Sequence, residues 1–187
     1  MTDIRVDRAA DPDRFLATDH LVWFGEVPAV PTDEQLVGLP EDQRFAAEVE
    51  GADPGTYPGI YGVFPLTLTV PGPASGLRGM PCSGLTWVGV HPDHRRKGVL
   101  TAMLAHHFER VHEQDGTYVS ALHASEPSIY GRHGYGLASL EHVVTLGRGT
   151  TLTAPHLDEA SAALTTHLST ITDPGMPKRM LECHRAV

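Results

Sequence analysis

Two short blocks hold the residues best suited to chemistry. The first is Val88-Gly-Val-His-Pro-Asp-His-Arg-Arg-Lys-Gly-Val-Leu100. It reads as a strand broken near Gly89 and Pro92, a basic turn, and a helix that starts at Gly98. The first amides of a helix have no intrahelical partner and point one way, at the positive end of its dipole. A phosphate oxygen is the natural occupant of such a place. Gly98 has no Cβ, so the backbone can approach a bulky diphosphate, and Arg95, Arg96 and Lys97 add charge at the mouth of the turn. The glycine spacing matches neither a P-loop nor a dinucleotide fingerprint. The second block is Ala124-Ser-Glu-Pro-Ser-Ile-Tyr-Gly-Arg-His-Gly-Tyr-Gly136, which offers a hydroxyl, a carboxylate and two phenols within a few residues.

Elements that can position these blocks are visible in the hydrophobic pattern. Residues 11–25 space Phe15, Leu16, Asp19 and Val22 as a short amphipathic helix, with Gly25 as its stop. Phe45–Glu50 and Gly59–Val70 read as strands joined by Gly/Pro turn chemistry, hence a hairpin. A Gly/Pro-rich loop over Pro71–Pro81 should lead to a strand at Leu85–Val90. Val99, Leu100, Met103, Leu104, Phe108 and Val111 then mark a helix. Strands are expected at Thr117–Leu122 and Leu140–Leu146, with a short helix near Pro127–Arg132. Hairpins followed by strand–helix–strand predict a mixed sheet with helices on its faces.

Composition limits the possible functions. The chain has 187 residues, enough for one ordinary domain, with 41% hydrophobic and 20% charged residues, as in a globular protein. Its net charge is −9, and residues 1–50 carry 12 acidic against 4 basic side chains, so −8 lies in the first quarter of the chain. That balance speaks against a nucleic-acid partner, which needs a basic surface to displace counterions. No run approaches the roughly 20 apolar residues of a membrane span, and the start lacks the shape of a signal peptide. No membrane partner is expected. Two cysteines imply no disulfide framework, so a reducing cytoplasm is the expected compartment. Cys82 reads as a small buried residue. The histidines lack metal-ligand spacing: His106 and His107 are adjacent and point about 100° apart on a helix. No metal is expected.

The first block resembles motif A of the GNAT acyl-CoA N-acyltransferases. Arg95-x-x-Gly98-x-Leu100 matches the pattern Gln/Arg-x-x-Gly-x-Gly/Ala except at its last position. Together with Ala124–Gly136, and with Pro65-Leu-Thr-Leu-Thr-Val-Pro-Gly72, it is similar to the enhanced intracellular survival (Eis) branch, where Leu is usual at that position. The similarity covers roughly residues 15–147. It implies an α/β (α+β) GNAT fold, a mixed central sheet flanked by helices, with a V-shaped splay between the motif A strand and the next. Residues 1–150 would form the acyl-CoA-binding domain and 151–187 a C-terminal stub or the start of a following domain.

The resemblance also assigns roles. Backbone groups of Val88, Gly89 and Val90 would bind the pantetheine arm of acetyl-CoA as an added strand. Arg95, Arg96, Lys97, Gly98, Val99, Leu100 and Thr101 would hold the pyrophosphate. Ser125 and Glu126 would lie beside the thiol, and Tyr130 would act as general acid. Asp19, Trp23, Phe24 and Glu26 resemble the aromatic-plus-carboxylate lining of an amine pocket, suited to a small polycationic acceptor such as an aminoglycoside or polyamine. The expected reaction is direct attack of the amine on the thioester in a ternary complex, with acetyl-CoA as co-substrate. Freeing an amine of pKa near 10.4 at pH 7 costs roughly 4 to 5 kcal/mol, so a base is needed. In that branch a terminal carboxylate serves. Val187, His123, Glu126 or a water are the candidates here. A catalytically weak acyl-CoA-binding remnant, or a protein lysine or N-terminal acetyltransferase, are the alternative readings. A homo-oligomer is compatible with the resemblance.

Overall fold

The computed structural model describes residues 3–73, 76–113, 116–150, 155–163, 165, 168–170 and 172–186. Val187, one of the base candidates, lies outside the described residues. These residues fall into two compact units that divide between Ser139 and Leu140.

The first unit is built on a five-stranded sheet in the order β1 (Ile4–Arg8), β2 (Arg44–Val49), β3 (Gly59–Pro71), β4 (Leu77–Val90), β5 (Ser120–Leu122). The first four strands run antiparallel to their neighbours and β5 is parallel to β4, giving the expected mixed sheet. Helices α1 (Pro12–Trp23) and α2 (Thr32–Gln35) lie on one face and α3 (Val99–Glu113) on the other.

Alternation along the strands feeds both faces. Ala46 and Ile60 pack with Phe15, Leu16, Leu36 and Leu39 under α1 and α2. Phe45, Ala47, Tyr61 and Val63 pack with Val99, Met103 and Leu104 of α3. Successive strand residues point to opposite faces, so one six-residue strand serves two cores.

Helix α1 begins at a side-chain cap. Asp11 accepts hydrogen bonds from the backbone N–H groups of Asp13 and Arg14, both at 3.0 Å, and Pro12 occupies the first turn. Thr18 ties the helix to the hairpin, its hydroxyl accepting from the Tyr57 N–H at 2.7 Å. The helix stops one residue earlier than Gly25 suggests, because Phe24 itself takes the left-handed conformation at φ 52°. Helix α3 buries Val99, Met103, Leu104, His107 and Val111, a stripe at helical spacing. Gly59 lets this helix approach: a Cβ there would stand 2.6 Å from Val99 Cγ1 and 2.9 Å from Met103 Sδ.

Four differences from the sequence reading have physical causes. The edge strand β1 was not expected, since its alternating Ile-Arg-Val-Asp-Arg is short and charged, yet it pairs with β2 along its full length. The loop expected at 71–81 is shorter, because Leu77–Pro81 pairs with Thr67–Pro71. Pro81 is tolerated there because β5 pairs with β4 only from Ser83, leaving that edge without a ladder to interrupt. The short helix expected near residues 127–132 is a pair of single 3₁₀ turns, Pro127–Ile129 and Gly131–His133. Leu140–Leu146 forms no strand, and Val143 and Val144 stand 80% and 77% exposed. β-propensity reflects a fit to a paired, half-buried surface, and this segment has neither.

The second unit contains α4 (Asp158–Ala162) and α5 (Met176–Ala186). Asp173 organises the start of α5, accepting from the Gly175 N–H, the Ser169 hydroxyl and the Arg179 guanidinium. These bonds, with that from Gly175 the largest, hold its carboxyl below the usual carboxylate range. Among the described residues, no helix is long and apolar enough to cross a membrane.

Candidate active site

The site begins with an irregularity in β4. Ile60 faces Gly89 but Gly62 faces Thr86, so β4 carries one more residue than β3 between these pairs. This is a β-bulge, and Trp87 sits in it at φ 53°. The extra residue changes which face each side chain takes. Leu85, Val88 and Val90 all join the α3 side, while Trp87 turns to the α1 side and packs on Phe15 with ring centroids 5.7 Å apart. Val22 of α1 then lies over Gly89, where a Cβ would meet it at 3.3 Å.

The second irregularity is where the pairing ends. β5 matches β4 only from Ser83↔Ser120 to Leu85↔Leu122. β5 ends at Leu122, so from Thr86 to Val90 that edge of β4 pairs with no strand among the described residues. An open edge presents unpaired N–H and C=O groups, able to accept an extended ligand as one more strand.

At the top of that edge the chain makes a tight basic turn. His91–Arg95 forms a 3₁₀ turn, with the His94 N–H bonded to the His91 carbonyl at 2.9 Å. The Arg95 Nε donates back to the Val90 carbonyl at 3.3 Å. Arg96 and Gly98 take left-handed conformations, at φ 61° and 93°. The Gly98 carbonyl accepts the first helical bond of α3, from the Ala102 N–H at 2.9 Å. Burial pushes the His94 imidazole below its ordinary pKa, and Lys97 and His91 push it the same way against Asp93.

Across the splay lies the segment after β5, with His123, Ser125, Glu126, Ile129, Tyr130 and Arg132 on the wall of a cleft of about 940 Å³. Burial first, and the Glu126 carboxylate second, raise the Tyr130 phenol above its ordinary pKa. Tyr130 therefore keeps its proton through the neutral range. Its ring meets Tyr135 edge-on, at 5.8 Å and 77°.

Of the residues expected in the site, Trp23, Val88, Val90, Arg95, Arg96, Gly98, Val99, Leu100, Thr101, Ser125, Glu126 and Tyr130 all line this one cleft. Gly89 belongs to the same strand but turns its Cα toward Val22. Lys97 is exposed on the turn and lies outside the lining. Asp19, Phe24 and Glu26 also lie outside it; Phe24 is 84% exposed, and burial pushes the Asp19 carboxyl up against a smaller opposing effect of His20. Trp23 is half-exposed, so it is no core anchor.

Sequence reasoning missed Val22, Thr86, Trp87, His94, Ile129 and Arg132. Periodicity placed Val22 on the amphipathic helix without assigning it to the site. Nothing in the sequence announces a left-handed tryptophan. Cys82 is buried as expected, and burial raises its thiol.

A mixed sheet with an open strand edge, a basic helix start and a phenol on the facing wall meet in one cleft, the arrangement that the resemblance to acyl-CoA N-acyltransferases implies. Comparison with known proteins agrees: residues 9–138 match the acetyltransferase (GNAT) domain model. The chain belongs to the GNAT acetyltransferase family, and its relatives place it in the Eis-like branch. It is 45% identical over 100 residues to the N-acetyltransferase Eis of Mycobacterium tuberculosis, covering 53% of this chain and 24% of that protein. An uncharacterized N-acetyltransferase of Streptomyces avermitilis is 36% identical over 138 residues, 74% of this chain and 32% of that one. The crystal structure of Eis1 from Mycobacterium abscessus superposes with a TM-score of 0.58 at 32% identity, over 74% of this chain and 32% of its own. The chain thus spans about a quarter to a third of the length of these relatives.

Acetyl-CoA use is implied by the family, and the residues present fit it. The edge of Thr86–Val90 is open, the helix start is basic, and at Gly98 a Cβ would be strained by its φ of 93°.

Proposed function

We propose that this chain transfers an acetyl group from acetyl-CoA to a primary amine of a small cationic acceptor, aminoglycoside-like or polyamine-like, by direct attack in a ternary complex. The observation that carries the reading is the convergence, in one cleft, of the open β4 edge, the start of α3 and the Tyr130 phenol. The thioester supplies an activated acetyl carbon.

The chain's own residues would divide the remaining work. The open edge at Val88 and Val90 aligns the pantetheine arm by main-chain hydrogen bonds, and Gly89 keeps α1 close behind it. Arg95, Arg96 and the amides of Gly98–Thr101 neutralise and orient the diphosphate. The bulge at Trp87 leaves main-chain groups outside the ladder, able to donate toward charge developing on the acyl oxygen. Tyr130, kept protonated, gives its proton to the departing thiolate. The Trp23 indole face and the Glu126 carboxylate favour a cationic acceptor at the open end, and His123 or Glu126 is suitably near to take the amine's proton directly or through water.

Incubation of the 187-residue chain with acetyl-CoA and a panel of amines, with released thiol measured, tests the reading. Thiol release on polyamines or aminoglycosides supports it. A preference for peptides would favour a protein acetyltransferase. Tight coenzyme A binding without thiol release on any amine would leave an acyl-CoA-binding module in its place.

A further inference from the structure

Behind Tyr130 runs a half-buried polar chain, ending on the buried His107, that no role above uses. The Tyr135 hydroxyl lies 2.7 Å from Ser120 Oγ, and Ser120 Oγ lies 2.8 Å from His107 Nε2. The chain joins three elements: the turn after Tyr130, the strand β5 and the helix α3. His107 is 1% exposed, on the apolar stripe of α3 between Met103 and Val111. A histidine there must be hydrogen-bonded to be tolerated, and Ser120 supplies the bond.

We propose that Tyr135, held by Ser120 and His107, is a positioning residue that fixes the orientation of the Tyr130 phenol. The inference rests on the acetyltransferase reading given above.

Tyr130 sits between two single 3₁₀ turns whose residues Pro127, Ser128, Gly131 and Arg132 are exposed, and its backbone bonds, to the Pro127 carbonyl and from the His133 and Tyr135 N–H groups, all stay within that segment. Its ring is half-buried and leans on Tyr135. Tyr135 packs on Phe108 at 5.7 Å, and its N–H reaches the Tyr130 carbonyl at 3.4 Å. Apolar packing alone would let the Tyr135 ring slide or pivot. A directional bond at its far end removes that freedom, because the ring is then fixed at both ends. An edge-to-face neighbour in a fixed plane gives Tyr130 a preferred orientation.

The groups that act on these phenols are Glu126 on the turn before Tyr130 and Cys82 of β4, with His107 reached through Ser120 and Arg132 on the same cleft wall; Arg110 and His106 of α3 act on His107. Burial, aided by Arg110 and His106, depresses His107 to about 4, so the anchor is uncharged wherever the enzyme would work.

Released from this anchor, Tyr130 would turn toward water. Its phenol would then lose the burial that raises its pKa, and the alkaline limb of kcat against pH would move to lower pH. Binding of coenzyme A depends on β4 and α3, so it should be unmoved.

The test uses the intact chain with acetyl-CoA and either spermine or neomycin. Tyr135→Phe keeps the ring and removes the hydroxyl; Ser120→Ala breaks the chain in its middle. Both should lower kcat by about tenfold, as expected for slight misplacement of a reacting group. The KM for acetyl-CoA should stay within about twofold, and the alkaline limb should shift downward. In a Tyr130→Phe background, adding Tyr135→Phe should cost nothing more, since the effect passes through Tyr130. Tyr118→Phe, at an 85% exposed tyrosine, is the unaffected control. An active wild type whose kcat and alkaline limb survive Tyr135→Phe overturns the positioning role alone. Further loss in the Tyr130→Phe background does the same. A wild type that releases no thiol on any amine overturns the acetyltransferase reading, and this role with it.

Discussion

The two walls of the cleft are built in different ways. One wall, from Thr86 through the turn to Thr101, is made of main chain: an open strand edge, a left-handed Arg96 and Gly98, and the first amides of a helix. The other, from Leu122 to Arg132, is made of side chains carried on the end of β5 and the 3₁₀ turns after it, and is tied to the core through Tyr135 behind it. A backbone wall is rigid because the sheet and helix that form it are themselves packed. A side-chain wall is only as rigid as its anchors. The first is suited to holding a large ligand in register, and the second to placing one proton.

Four changes would break or sharpen that division. The largest effect is expected from Tyr130→Phe, which removes the hydroxyl proposed to protonate the thiolate and leaves the backbone wall intact. It should lower kcat by roughly 100-fold or more, in the range general acids contribute, with coenzyme A affinity nearly unchanged by calorimetry. Equal losses of both would mean that Tyr130 belongs to the binding wall.

Acid should loosen the side-chain wall next. His107 is depressed in the folded chain to about 4 from an ordinary 6.5, so between these values the unfolded chain binds more protons. Stability is therefore full above about pH 6.5 and falls as pH drops toward 4, by an amount on the order of 3 kcal/mol. Urea midpoints measured across that range should show the fall, and His107→Leu should flatten it.

Gly98→Val attacks the other wall. A β-branched residue at φ 93° is strained by about 1–3 kcal/mol, and relieving that strain shifts the first amides of α3. Coenzyme A affinity should drop by about tenfold or more, while kcat at saturation stays close to that of the wild type. A reversed pattern would deny the turn its binding role.

The smallest effect is expected at Gly59→Ala. The new methyl meets Val99 and Met103 side chains at under 3 Å, so α3 must shift at its first turn. A cost of about 1–2 kcal/mol in a thermal melt, with a few-fold weaker coenzyme A binding, is the expected outcome.

Much of the backbone wall was legible in the sequence, because its signals are local. Gly98 after three basic residues, Pro92 after a β-branched strand and the apolar spacing from Val99 to Val111 each constrain the chain within a few residues. The side-chain wall was legible in its members but not in its assembly. Ser125, Glu126 and Tyr130 could be named from their block, whereas the partnership of Tyr135 with Ser120 and His107 joins residues up to 28 positions apart. The Leu140–Leu146 segment shows the converse: residue types that favour a strand form none without an edge to pair with.

The amino-acid sequence by itself determined the order of the central elements, the basic helix start, the two-sided strands and the family to which the chain belongs. The element order, the helix start and the strands follow from side-chain periodicity and from backbone freedoms intrinsic to glycine and proline, and the family follows from its motifs. Only the tertiary structure decided the bulge at Trp87, the end of pairing at Leu85 and Leu122, and the buried chain behind Tyr130. Each of these depends on which strand or helix lies alongside. That is settled by packing between distant parts of the chain, and no local pattern encodes it.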